Sequence, residues 1–159
     1  MANPKIKTCA QMKEVAARLK RRGKKIVFTN GCFDLFHAGH VEILRRAASL
    51  GDVLVVGVNS DTSVTAIKGP GRPIIPEADR EQIISALSCV DYVVVFGEET
   101  PLRLIQAVRP DVLVKGEDWK GREVVGEDVV KARGGRVEFV SLVPGLSTTD
   151  LINKIRGSI

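Results

Sequence analysis

Aromatic residues make up only 4% of this 159-residue chain. Its core must therefore be built from Val, Ile, Leu and Ala, a composition that suits a parallel sheet covered by helices on both faces. No apolar run approaches the ~20 residues that a membrane span needs. The leading Met1-Ala2-Asn3-Pro4-Lys5 has no apolar stretch of the signal-peptide kind. The expectation is a cytoplasmic protein with no membrane partner. Cysteine is scarce: Cys9, Cys32 and Cys89 are odd in number and widely spaced, which excludes a disulfide framework and a zinc site. Cys32 reads as a small buried filler rather than a nucleophile. Three motifs are missing: Gly-x-x-x-x-Gly-Lys-Ser/Thr, which excludes a P-loop, Gly-x-Gly-x-x-Gly after the first strand, and Gly-x-Ser-x-Gly.

The charge of +5 is unevenly placed. Residues 1–25 hold nine Lys/Arg against the single acid Glu14, so that segment balances at +8 and the remainder at −3. A nucleic-acid arm and a basic helix end both fit Leu19 to Lys25. The helix end is preferred, because cations favour a helix C-terminus, Gly23 stands as a stop, and few aromatics are available to stack bases. No nucleic-acid partner is expected.

Length gives one domain, 1–159, with a leading basic helix over 1–24 and an α/β core over 25–159. The pattern predicts strands at Ile26–Thr29, Val53–Val58, Tyr92–Phe96, Val112–Lys115 and Val137–Val140. Helices are predicted at Gln11–Arg22, Gly39–Leu50 (ended by Gly51), Ser60–Ile67, Glu77–Ser88, Pro101–Val108 and Val124–Ala132, with Ser147 opening the last. Lys68 to Pro76, rich in Gly and Pro, is a loop. This alternation predicts a doubly wound, five-stranded parallel α/β sheet, with ligands beyond the carboxyl ends of the strands.

The chemistry centres on Thr29-Asn30-Gly31-Cys32-Phe33-Asp34-Leu35-Phe36-His37-Ala38-Gly39-His40, directly after the first strand. A helix N-terminus presents free N–H groups and a partial positive charge, which suits phosphate. His37 and His40, the chain's only histidines, sit there three apart, and Gly39 lets a phosphate approach the backbone. Phosphate contact is preferred to structural packing for this pair. Asp34 reads equally as a magnesium or ribose contact and as a turn cap. Asn30, Asn59 and Asp61 follow strands, and each is a ligand contact or a cap.

Three more groups fall at the same edge. Lys68, Arg72 and the nearby Arg80 put cations in or beside the Gly-rich loop, suited to a triphosphate. Ser147, Thr148 and Thr149 open the last helix as a second anion site. Lys115, Gly116 and Glu117, with Asp118 and Trp119, form either a wall for a base or sugar or a surface loop.

Taken together, the motifs resemble the HxGH nucleotidyltransferases of the cytidylyltransferase type, from about Lys25 to Ile155. His37-Ala38-Gly39-His40 fits the signature, Ser147-Thr148-Thr149 the closing motif, and Lys68 with Arg80 the cationic pair. Within that family the chain is most similar to adenylyltransferase domains of ADP-heptose synthases. The supporting stretches are Phe28 to Asp34, Val58 to Asp61, Lys68-Gly69 with Arg72-Pro73, and Leu113 to Gly116. Val143 to Leu146 holds no cation where glycerol-3-phosphate cytidylyltransferases carry an arginine, which weakens that alternative.

The resemblance implies a Rossmann-like nucleotidyltransferase fold. It also implies AMP transfer from ATP to D-glycero-β-D-manno-heptose 1-phosphate, with Mg2+, to give ADP-heptose for the lipopolysaccharide core. His37, His40 and Lys68 are then catalytic. The nucleotide-binding set is Asn30, Gly31, Phe33, Asp34, Gly39, Asn59, Asp61, Arg72, Arg80, Lys115, Gly116, Glu117, Ser147, Thr148 and Thr149. A homodimer is implied, as is a heptose kinase on a separate chain, or else an excised domain.

Overall fold

Five Val-rich strands form one parallel sheet: β1 (Ile26–Gly31), β2 (Val53–Asn59), β3 (Tyr92–Phe96), β4 (Val112–Gly116) and β5 (Arg136–Val140), in the order β3-β2-β1-β4-β5. The computed structural model describes residues 3–141 and 143–157. Met1, Ala2, Leu142, Ser158 and Ile159, part of the expected domain span, lie outside the described residues. The helices are α1 (Cys9–Arg21), α2 (Ala38–Ala48), α3 (Asp61–Lys68), α4 (Glu77–Ser85), α5 (Leu102–Val108), α6 (Glu127–Lys131) and α7 (Thr148–Arg156).

Both sheet faces are covered, as near-continuous apolar strands require. Phe28, Val55 and Leu113 pack with Met12 of α1 and Leu104 and Ile105 of α5. On the other face Val27, Val56 and Val114 pack with Leu44 of α2 and Ile84 of α4. A capping box starts α1: Thr8 Oγ1 accepts from Gln11 N and Gln11 Oε1 accepts from Thr8 N. It ends before Gly23, whose φ of +69° suits glycine.

The structure corrects three element boundaries. The helix expected over Val124–Ala132 is only Glu127–Lys131, because Gly126 turns to φ +86° against Ile105. Helix α4 ends at Ser85, where Leu87 N turns back to Ile84 O at 3.1 Å on the way to β3. Gly51 lies beyond the end of α2 rather than closing it. A Cβ there would meet Val27 Cγ2 at 2.6 Å and Lys25 O at 2.9 Å, so close packing accounts for this glycine.

The sheet order reverses between β1 and β4. The ladder of β1 with β2 runs through Gly31, but its pairing with β4 covers only Val27 and Phe28. Beyond Phe28 the two strands are joined by side chains: Thr29 Oγ1 donates to Val114 O at 3.0 Å, and Lys115 Nζ donates to Asn30 Oδ1 at 2.6 Å. A crevice opens there, as expected at the switch point of such a sheet. Among the described residues, no helix is long and apolar enough to cross a membrane.

Candidate functional site

A cleft of 640 Å³ occupies the carboxyl edge of the sheet. The turn after β1, the end of α3 with the loop behind it, the β4 end and the start of α7 all reach it. Within that turn Phe33 and Leu35 hold φ of +50° and +42°, a left-handed backbone that is unfavourable for bulky side chains and survives only where its surroundings enforce it.

Both histidines line the cleft. His37 is the extended residue just before α2, and its Nδ1 accepts the Gly39 backbone N–H at 3.1 Å. His40 Nδ1 accepts the His37 backbone N–H at 3.3 Å. A ring nitrogen that accepts carries no proton, so each neutral imidazole keeps its proton on Nε2. The rings stack with centroids 3.8 Å apart, while Phe36 lies against the His40 ring at 5.2 Å and Phe33 meets it edge-on at 5.5 Å. Burial, and to a lesser degree His37, pushes the His40 pKa down to about 4, and burial lowers that of His37. At neutral pH the pair therefore offers two uncharged N–H donors at a helix N-terminus.

Gly39 keeps that arrangement in place. A Cβ there would stand 2.9 Å from both Nδ1 and Cε1 of His37. Gly39→Ala should favour the helix by up to about 1 kcal/mol through propensity yet displace the imidazole. Turnover should fall by about tenfold or more with little change in melting temperature, measured by steady-state kinetics beside a thermal melt.

Asp34 lines the cleft, and of its two expected readings, ligand contact and turn cap, the hydrogen bonds of its carboxylate match the turn cap. It is 1% exposed, and its carboxylate accepts from Arg72 Nε at 2.6 Å, Ile75 N at 2.9 Å, Ile74 N at 3.0 Å and Leu35 N at 3.1 Å. Burial acts to raise its pKa, but the Ile75, Ile74 and Arg72 hydrogen bonds win and hold it below its ordinary value. Its backbone carbonyl accepts from Thr148 Oγ1 at 2.7 Å. One residue thus ties the post-β1 turn to both the 68–76 loop and the start of α7.

Arg80 is corrected from a triphosphate cation to a structural residue, with Asp61 as its partner. Arg80 is 1% exposed, and it donates from Nε to Ile75 O, from Nη1 to Cys32 O and Asn59 O, and from Nη2 to Asp61 Oδ1, all at 2.6–2.8 Å. Asp61 Oδ1 also accepts from Glu77 N at 2.8 Å, and neither residue lines the cleft. Glu117 is corrected too: it opens an exposed 3-10 turn, Glu117–Trp119, whose Asp118 and Trp119 line the cleft while Glu117 itself does not.

The remaining expected residues meet at the cleft: Asn30, Gly31, Phe33, Asn59, Lys68, Arg72, Lys115, Gly116, Ser147, Thr148 and Thr149. Lys68 is exposed at the end of α3 with no partner among the described residues. Asn59 is 4% exposed and donates to Ser63 Oγ at 2.9 Å. Ser147 caps α7 by accepting from Asp150 N at 3.0 Å. Thr149 is exposed. The Cys32 thiol, also in the lining, is pushed up in pKa by burial against the lowering pull of Lys68, so it stays protonated at neutral pH.

Lys115 is 8% exposed, with Nζ 5.3 Å from the centre of the Trp119 ring. Burial lowers its pKa to about 8, opposed by Asp118. We expect kcat/KM for the nucleotide to decline as pH rises through about 8, because that ratio reports the free enzyme and Lys115 then loses its charge. A pH profile of Lys115→Met should lack this decline. Sequence reasoning missed Glu99, Thr100 and Pro101, which wall the cleft after β3. Their position just past a strand was the available signal.

A model of the cytidylyltransferase-like family matches residues 28–154. The chain is 56% identical over 154 residues to the bifunctional protein HldE of Geobacter metallireducens and 55% identical over 151 residues to that of Syntrophotalea carbinolica. These matches cover 97% and 95% of this chain and 31% of each relative, so the chain spans about a third of the length of the curated relatives it matches. The lipopolysaccharide core biosynthesis protein from Thermoplasma volcanium GSS1 matches at 32% identity with a TM-score of 0.62, over 76% of this chain and 98% of that one. Pantoate-beta-alanine ligase from Francisella tularensis, at 17% identity and a TM-score of 0.63 over 96% of this chain and 77% of that one, shares the fold.

Proposed function

The chain belongs to the cytidylyltransferase-like family and is a nucleotidyltransferase, and from that premise we propose that it transfers AMP from ATP to D-glycero-β-D-manno-heptose 1-phosphate. The observation that carries the reading is the pair of Nε2–H imidazoles at the start of α2, in one cleft with Lys68, Arg72 and the α7 N-terminus. Support for the acceptor comes from likeness over nearly the whole chain to bifunctional HldE proteins and from the lipopolysaccharide core protein of similar fold.

The acceptor is already a phosphate, so its nucleophile is an anionic oxygen and no general base is required. That oxygen bonds to the α-phosphorus in line, the bond from that phosphorus to the bridging oxygen breaks, and pyrophosphate leaves with the electron pair. Catalysis is then positioning and charge stabilisation. His37 and His40 donate to the phosphoryl oxygens as charge shifts onto the leaving group. Lys68 and the start of α7 hold the β- and γ-phosphates. Arg72, its Nε fixed on Asp34, turns its remaining donors to the same anion. Lys115 contacts phosphate beside Trp119.

Magnesium enters as the counter-ion of the ATP substrate. The Asp34 and Asp61 carboxylates are committed to Arg72 and Arg80, and among the described residues no cluster of His, Cys, Asp or Glu could hold an ion. The pathway's heptose kinase acts on a separate polypeptide or a further domain, and the working unit is a homodimer.

The test is pyrophosphate release from ATP or CTP, each offered with heptose 1-phosphate and glycerol 3-phosphate. The ATP and heptose 1-phosphate pair should exceed every other combination. A preference for CTP with glycerol 3-phosphate would replace this reading with the cytidylyl alternative.

A further inference from the structure

We propose a second anion-binding pocket at the amino edge of the sheet, formed by Arg18, Arg21 and Arg22 of the α1 end with Tyr92 at the start of β3. Its ligand is a small multivalent anion of the phosphate-ester class. The cavity measures 380 Å³, and Val15 and Leu19 complete its lining. Catalytic groups stand at the carboxyl ends of the strands, whereas Tyr92 opens β3, so the length of the sheet separates the two sites.

The three arginines suit the helix C-terminus by charge, yet together they crowd like charge that no acid relieves among the described residues. Arg18 is three residues from Arg21 and four from Arg22, so all three share one helical face. Like charges at those spacings disfavour the helix. No carboxylate relieves them among the described residues: Asp111 takes Lys20 at 3.2 Å and Asp52 lies 3.9 Å from Lys24. Each guanidinium retains its donors in a planar fork that matches phosphate oxygens. The Tyr92 hydroxyl likewise has no hydrogen-bond partner among the described residues, leaving a neutral donor in the same lining.

Two features favour a small ligand over a polymer. Lys20 and Lys24, which would widen the basic surface, are paired with acids. Val15 and Leu19 add apolar contact to the lining, which suits a compact body carrying phosphate more than a polyanion lying along the surface.

The chain contains one tyrosine and one tryptophan, and they report separately: Tyr92 belongs to this pocket and Trp119 to the catalytic cleft. The experiment is an NMR titration of the full chain with inorganic pyrophosphate, following both rings. The Tyr92 ring resonances should shift saturably with a midpoint below about 1 mM. Arg18→Gln/Arg22→Gln, at exposed positions where folding is not at risk, should weaken that midpoint at least about tenfold. The Trp119 response should stay unchanged. The proposal is overturned by a Tyr92 signal that does not move, that drifts without saturating, that moves equally in sodium chloride of matched ionic strength, or that is undiminished in the double variant. None of these outcomes bears on the cleft, which Trp119 reads.

Discussion

His40→Ala should lower turnover by about a hundredfold to a thousandfold, the scale for losing one preorganised donor aimed at developing charge. The nucleotide's binding constant should change far less, because the donor's worth grows only as charge moves. The variant loses two things: its own Nε2–H, and the Nδ1 that accepts the His37 backbone N–H at 3.3 Å. His37 then also loses the ring that stacks on it at 3.8 Å. Single-turnover kinetics with saturating ATP, beside equilibrium binding of the nucleotide, separates the chemical step from affinity. Near-normal turnover in this variant would remove the imidazole pair from catalysis.

Asp34→Ala should destabilise the protein by about 3 kcal/mol or more, the range for breaking one side of a buried ion pair. At this chain length the melting temperature should fall by roughly 6–12 °C. The substitution strands the N–H groups of Ile74 and Ile75 and the guanidinium of Arg72, all of which converge on one carboxylate. Activity should fall with stability, since the loop carrying Arg72 is tethered to the cleft through that carboxylate.

The pH dependence distinguishes the groups. Asp34 has a folded pKa below its ordinary 3.8, so its contribution is present above that pH and is lost as pH falls below it. His40 is neutral in the folded protein down to about 4 but titrates near 6.5 when unfolded. Between those values the unfolded chain binds more protons, and stability declines as pH falls from 6.5 towards 4. Denaturant titrations across pH 3–7 should show both limbs in the natural chain, with the 6.5-to-4 limb alone surviving in Asp34→Ala.

The strands were legible because their apolar runs are short, Val-rich and bounded by turn residues: β3 spans Tyr92–Phe96 as the pattern predicts. The corner after β1 was legible for a similar reason, since an apolar strand, a Gly-containing turn and two histidines follow one another without a gap. The partners of Asp34 and Arg80 were not. A carboxylate that clamps backbone N–H groups looks identical in sequence to one that holds a cation. Its partners here are Arg72, Ile74 and Ile75, some forty residues onward. Arg80 bonds Cys32 across an equally long interval, so its commitment to the fold appears only once β1, β2 and α4 are packed. The placing of β4 beside β1, which opens the crevice, is equally non-local.

The central claim is that two neutral imidazoles present Nε2–H to the triphosphate from the start of α2. Nitrogen-15 NMR of the histidine side chains, with a non-hydrolysable ATP analogue bound, tests it most directly. The account predicts that His37 and His40 both carry their proton on Nε2 at pH 7, that His40 stays neutral until the pH approaches about 4, and that both Nε2 resonances move when the analogue binds. A proton on Nδ1 of either ring, a His40 that titrates at its ordinary 6.5, or resonances indifferent to the analogue would contradict it.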